Sequence, residues 1–235
     1  MKSMIWRSAS FAAAALCLVA TAQADGIKSA EDAAGAADFD IVETTVKIES
    51  DTAVFTSRVR GSAGATKPEA TGKFEGAPVH AYVWPTSLNS SDVGFEKDQG
   101  IVALAATFHP DFDDAAKGGK NRDQWHAHWV VLGKDDACKG GLKVIDIPKD
   151  AKPKVPETWP GVPLLIDSPN YLTELSGQTA VVRVPVAAVS AVKGASFDGV
   201  TAGLRVNANL HAPLLCVENV FKIASGNLSL PGKVE

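Results

Sequence analysis

Methionine is almost missing from this chain: the only two are Met1 and Met4. Beyond the first few residues, a thioether-rich Cu(I) carrier, a blue-copper centre with an axial Met and a Met-ligated haem are therefore excluded. Any transition metal would have to be held by imidazole, carboxylate, thiolate or water. Dense Lys/Arg runs are also missing, and 27 acidic residues outnumber 23 basic ones. A nucleic-acid partner is not expected, because such binding needs a basic patch to displace counterions from phosphates. There is no Gly-x-Ser-x-Gly elbow, His-Glu-x-x-His helix, P-loop or Rossmann fingerprint. Nucleophilic catalysis thus has no local support, and neither a nucleotide nor haem is expected.

No apolar run reaches the ~20 residues that a membrane-spanning helix needs. The longest, at 11–20, follows a short basic start with Lys2 and Arg7 and precedes Ala22-Gln23-Ala24. Residues 1–24 therefore read as a signal peptide with an A-x-A cleavage site, and the protein as periplasmic or secreted, with no membrane span in the mature chain. Cleavage would remove two basic residues and leave 21 against 27 acidic ones, a formal charge of −6. Cysteine is scarce, with three residues, of which Cys17 lies in the signal segment. In an oxidising compartment the remaining pair, Cys138 and Cys216, is most simply a disulfide. Closing a loop of that length stabilises the fold by about 4 kcal/mol in the chain-entropy model. Thiolate ligation by Cys138, ten residues after His128, is the alternative.

What is present is β-pattern. Residues 25–38, rich in Ala and Gly, show neither a helical stripe nor alternation and read as a flexible leader. Residues 39–49 and 52–60 alternate around a Ser50-Asp51 turn and make a hairpin. Further strands are expected at 77–84, 100–109, 142–147, 179–184, 200–207 and 214–223. Ser168-Pro169 followed by Gly177 suggests one short helix over 170–176, with Ser at the N-cap and Pro at the first helical position. The sum predicts a single all-β domain over 39–235: an antiparallel β-sandwich, immunoglobulin-like or related, with one short helix. Its core is expected to use Leu104, Phe108, Trp125, Trp129, Val130 and Val131.

The stretch 123–133, Asp-Gln-Trp-His-Ala-His-Trp-Val-Val-Leu-Gly, concentrates the chemistry. Read as a strand, it puts Trp125, Ala127, Trp129 and Val131 on one face and His126, His128, Val130 and Leu132 on the other. Two imidazoles about 6.6 Å apart on one strand face can close onto one metal ion, with His80 or His109 reaching from a neighbouring strand. The competing reading is that the two Trp residues build a core while the imidazoles hydrogen-bond on a wet sheet face. The loop 111–122 between His109 and His126 carries Asp111, Asp113 and Asp114; it is either a solvated charge-balanced loop or the source of a carboxylate ligand. His211 stands alone before Pro213.

The expected function is an exported binding protein that holds Cu or Zn through His126, His128, His80 and His109. The alternative is a sandwich that binds a small ligand or a protein partner without metal. A metal-assisted hydrolase ranks last, since it needs an open coordination position and a carboxylate base.

Overall fold

The computed structural model describes residues 26–207 and 213–235, so the segment read as a signal peptide and His211 lie outside the described residues. Strands β1 (Ile27–Lys28), β2 (Ile41–Glu49) and β3 (Thr52–Val59) come first, then β4 (Pro78–Pro85), β5 (Ile101–Phe108) and β6 (His126–Lys134). They are followed by β7 (Leu142–Val144), β8 (Ile166–Asp167), β9 (Leu172–Ser176) and β10 (Thr179–Pro185). The last four are β11 (Ser196–Phe197), β12 (Val200–Val206), β13 (Leu215–Ile223) and β14 (Gly232–Lys233). No helix among the described residues is long and apolar enough to cross a membrane.

The fold is all-β, as the alternation predicts, but the expected sandwich is corrected by how its second layer closes. One sheet is open and antiparallel, in the order β1-β2-β3-β10-β9. The other runs β5-β4-β12-β13-β7-β6, and β6 pairs back onto β5 from Ile101↔Leu132 to Thr107↔His126. Six strands thereby form a closed barrel, with β8 added alongside β6. The thinnest seam is β13 against β7, which meet only at Leu215↔Val144 and Cys216↔Lys143. The disulfide Cys138–Cys216 lies at that seam, with the two Cα atoms 5.2 Å apart.

Period-two alternation sends each barrel strand's side chains to two different cores. From β4, Tyr82 and Trp84 face the open sheet, and from β5 and β6 so do Val102, Leu104, Trp129 and Val131. There Phe55 of β3 meets Trp84 and Trp129 edge-on, with ring centroids 6.0 and 6.1 Å apart. The opposite faces, including Val79, Ala81, Val83, Ala103, Ala105, Val130 and Leu132, fill the barrel interior. Of the expected core residues, Leu104, Phe108, Trp129, Val130 and Val131 are buried. Trp125 packs against this core but is only partly buried.

Two local expectations are overturned. The proposed helix is strand β9, antiparallel to β10 from Leu172↔Arg183 to Ser176↔Thr179. Its Thr173 and Leu175 are more buried than Leu172, Glu174 and Ser176, so the segment has the period of a strand. Pairing with β10 outweighs a Ser-Pro start that would have supported about two turns of helix. The proposed flexible leader is tied down from residue 26 onward: β1 pairs with β2, and Asp38 accepts from the Ser62 N–H at 2.7 Å and the Thr66 hydroxyl at 2.7 Å.

Candidate metal centre

The barrel brings three histidines and one aspartate together. His126 and His128 open β6 on its inward face, and His109 follows β5 on the face shared with Ala103, Ala105 and Thr107. Because β5 and β6 are antiparallel neighbours, with Thr107 opposite His126, the imidazoles converge at one end of the lumen. The loop between the two strands folds back to add Asp114. One ligand-capable atom from each of His109, Asp114, His126 and His128 falls within a set no wider than 4.8 Å. His109 and His128 are 1% and 0% exposed and Asp114 7% exposed, so this is a buried group and not a wet sheet face.

The loop holds Asp114 by internal bracing. Asp113 accepts from the backbone N–H groups of Asn121 (2.7 Å) and Arg122 (3.0 Å), which folds the loop across itself. The Asn121 side chain then donates to Asp114 Oδ1 at 2.8 Å and accepts the Asp114 N–H at 3.1 Å. Asp111 serves elsewhere, accepting the N–H groups of Thr71 and Gly72. Ser168, after β8, donates its hydroxyl to the Asp114 carbonyl at 2.5 Å.

Backbone carbonyls fix the tautomers. Nδ1 of His109 lies 2.8 Å from the Phe112 carbonyl, Nδ1 of His126 2.8 Å from that of Gln124, and Nδ1 of His128 3.0 Å from that of Asp167. A carbonyl only accepts, so each Nδ1 carries the proton and each Nε2 presents a lone pair. Those three Nε2 atoms all point at Asp114: His109 and His126 lie 3.2 and 3.1 Å from Oδ1, and His128 lies 3.2 Å from Oδ2. His109 and His126 Nε2 are themselves 3.1 Å apart. The His128 Nε2 is close to the carboxylate but off line for a hydrogen bond, which leaves it a buried nitrogen without a hydrogen-bond partner.

Three lone pairs facing one another and a carboxylate repel unless a proton or a metal cation sits among them. Burial pushes His128 down to about 4, against the pull of the Asp114 carboxylate, so it is a neutral imidazole at neutral pH. Burial would raise Asp114, yet a positive charge on His128 or His109 and hydrogen bonds from protonated His109 and His126, the proton standing where a metal would, outweigh that and hold it well below the usual carboxylate range. Among the described residues, no Lys or Arg forms an ion pair with Asp114. The contacts of 3.1–3.2 Å are close to the ligand–ligand spacing of about 3.3 Å in a tetrahedral site with bonds of 2.0–2.1 Å. The group can hold a metal ion.

Of the residues expected to ligate, the structure brings together His109, His126 and His128 and leaves His80 out. His80 shares a face with Tyr82 and Trp84, not with the lumen; its Nδ1 lies 3.2 Å from the Thr66 carbonyl and its ring packs edge-on against Phe39. Cys138 is in the disulfide and unavailable as a thiolate. Sequence reasoning left Asp114 as one of several nearby carboxylates and missed Asn121 and Ser168. For Asp114 the available signal was its place on the loop joining two histidine-bearing strands.

Beside the group runs a cavity of about 660 Å³ through the barrel, lined mostly by aliphatic side chains and bounded at the polar end by His109, Asp114 and His128. Interiors of barrels this small are normally filled by side chains; Ala81, Ala105 and Ala202 on the lining leave the space open. Comparison of the chain with protein families, curated proteins and solved structures finds no match, so the functional reading rests on this geometry.

Proposed function

We propose that this protein is an exported binding protein that holds one divalent transition metal ion through the Nε2 atoms of His109, His126 and His128 and the carboxylate of Asp114. The observation that carries the reading is the convergence of three carbonyl-fixed imidazole lone pairs on one buried carboxylate, one of those nitrogens having no hydrogen-bond partner. A dication neutralises Asp114 and gives every Nε2 a partner. Imidazole with carboxylate suits Zn²⁺ or Cu²⁺, and the intrinsic order of affinities favours copper. Hydrogen bonds from the Nδ1 side orient each ring and raise its basicity toward the metal. The signal-like first 24 residues and the disulfide support export to a periplasmic or extracellular space.

A binding role is preferred to hydrolysis. The one buried carboxylate in the group is used as a ligand; among the described residues no second carboxylate belongs to the group, and Asp113 beside it is engaged by the Asn121 and Arg122 N–H groups. Calorimetric titration of the metal-free protein with Zn²⁺ and Cu²⁺ tests the reading. One equivalent should bind with Kd below about 10 µM, corresponding to about −7 kcal/mol, and His126→Ala/His128→Ala should abolish that binding. Failure to bind either metal, or unchanged affinity in the double variant, overturns it.

A further inference from the structure

We propose that the barrel cavity is a binding site for an apolar carboxylate, a fatty-acid-like molecule whose chain lies in the lumen and whose head group adds a fifth ligand to the metal on the cavity side. The proposal rests on the metal reading above and adds the ligand. A volume of about 660 Å³ is ample for a small organic molecule. The lining includes Val79, Val83, Val130, Leu132, Val200 and Leu215, which offer an alkyl chain dispersion contacts and no hydrogen bonds. At the polar end stand His109, Asp113, Asp114 and His128. The cavity thus has the polarity of an amphiphile, greasy along its length and metal-binding at one end.

Charge selects the head. Three neutral imidazoles and the Asp114 carboxylate leave a bound dication with a net charge of +1, and the charge of Asp113 at the same end is met by Arg122 and Lys120. In a low-dielectric lumen an uncompensated charge is costly, and one anionic carboxylate brings the site to neutrality. A cationic amphiphile would add to the excess, and an alcohol would leave it uncorrected. Entry is also marked: Ile101, Val220 and Leu228 line the cavity while being 41%, 42% and 38% exposed. Exposed aliphatics at a cavity lining place its mouth where a chain can enter.

Decanoate and 1-decanol, which share a chain and differ in the head, are titrated into the full-length protein loaded with Zn²⁺ and into the same protein treated with EDTA. Decanoate should bind the zinc form at least tenfold more tightly than decanol, and removing zinc should erase that preference. Ala202→Phe, which fills the lumen from β12, should weaken decanoate at least tenfold while zinc uptake stays at one equivalent. Should that variant fold poorly, Ile101→Glu at the mouth should weaken decanoate by charge repulsion, again with zinc uptake intact. Zinc uptake without decanoate binding, or equal affinity for decanoate and decanol, overturns this proposal and leaves the metal centre standing. Absence of zinc uptake overturns the metal centre, and this proposal with it.

Discussion

The two faces of β6 are built to opposite ends. On one, Trp129 and Val131 meet Phe55, Leu104 and Trp84 in a layer whose buried hydroxyls, Thr44 and Ser57, are uncharged and bond to each other, Thr44 also accepting the Trp84 indole N–H. On the other, His126 and His128 share a lumen with Val130, Leu132 and a row of alanines, and space is left over. The large side chains that would have filled the barrel are on its outside. The difference separates the source of stability from the candidate site: the layer between barrel and open sheet supplies buried aromatic area, and the lumen is kept small-sided and carries the ionisable groups. The lumen can afford the unpaired Nε2 of His128 because the other face holds the strand.

The largest test of that division is the barrel seam, where β7 and β13 have few pairings of their own. Replacing both cysteines, Cys138→Ala/Cys216→Ala, frees a loop with a sequence separation of 78 residues, for which the chain-entropy model gives a loss of about 4.5 kcal/mol. Urea unfolding measures it. A loss under about 1 kcal/mol would show that the seam closes without the disulfide.

Next comes a direct contrast across β6. Trp129→Ala should cost about 3–5 kcal/mol, because it opens a cavity in a close-packed layer. Val130→Ala, on the adjacent residue, should cost only about 1.5 kcal/mol, the transfer term of the lost carbons, since its side chain already borders open space. Equal losses in chemical denaturation would mean that the lumen is packed as tightly as the outer layer.

Within the lumen face, Ser168→Ala removes the hydroxyl that holds the Asp114 carbonyl while leaving all four proposed ligands in place. Metal affinity should fall about 10–100-fold, with a stability loss near 1 kcal/mol. Calorimetry alongside unfolding separates the two effects, and unchanged affinity would show that the loop holds Asp114 without this bond.

The smallest effect concerns the junction between the two layers. Asp40 is buried and bridges Arg60, beyond β3, at 2.9 Å and Lys222 of β13 at 3.1 Å. Burial would raise its pKa, but Arg60, the Asp32 N–H and Lys222 together hold it below its ordinary value. A depressed carboxylate stabilises the fold fully above its unfolded pKa, about 3.9, and that stabilisation is lost as pH falls through the lower folded value. Unfolding free energy should therefore drop below about pH 4, and Asp40→Asn should flatten that limb. An acid limb of the same slope in the variant would assign it to other groups.

Much of this division was legible in the chain. The alternation at 123–133 assigned His126 through Leu132 of β6 to their correct faces, and the pattern of β5 put His109 with the small residues that line the lumen. It also set His80 beside Tyr82 and Trp84, on the face that points away from the His/Asp group, so the register itself held the reason to leave His80 out. Barrel closure was not legible, because it depends on β7 and β13 meeting across some 70 residues of chain, and no local pattern encodes that pairing. Nor was Asp114 separable from Asp111 and Asp113, since the choice is made by Asn121 and Ser168 through hydrogen bonds that exist only once the loop is folded. Strand β9 was misread for a related reason: its start resembles a helix cap, and only β10 alongside it decides the matter.

The central claim is that the three imidazoles and Asp114 form one metal centre, and X-ray absorption spectroscopy of the protein loaded with one equivalent of Zn²⁺ tests it most directly. The account predicts three imidazole nitrogens and carboxylate oxygen at about 2.0–2.1 Å, with the imidazole scattering reduced in His128→Ala. A coordination shell of water and surface carboxylates without imidazole, or a spectrum unchanged in His128→Ala, would contradict it.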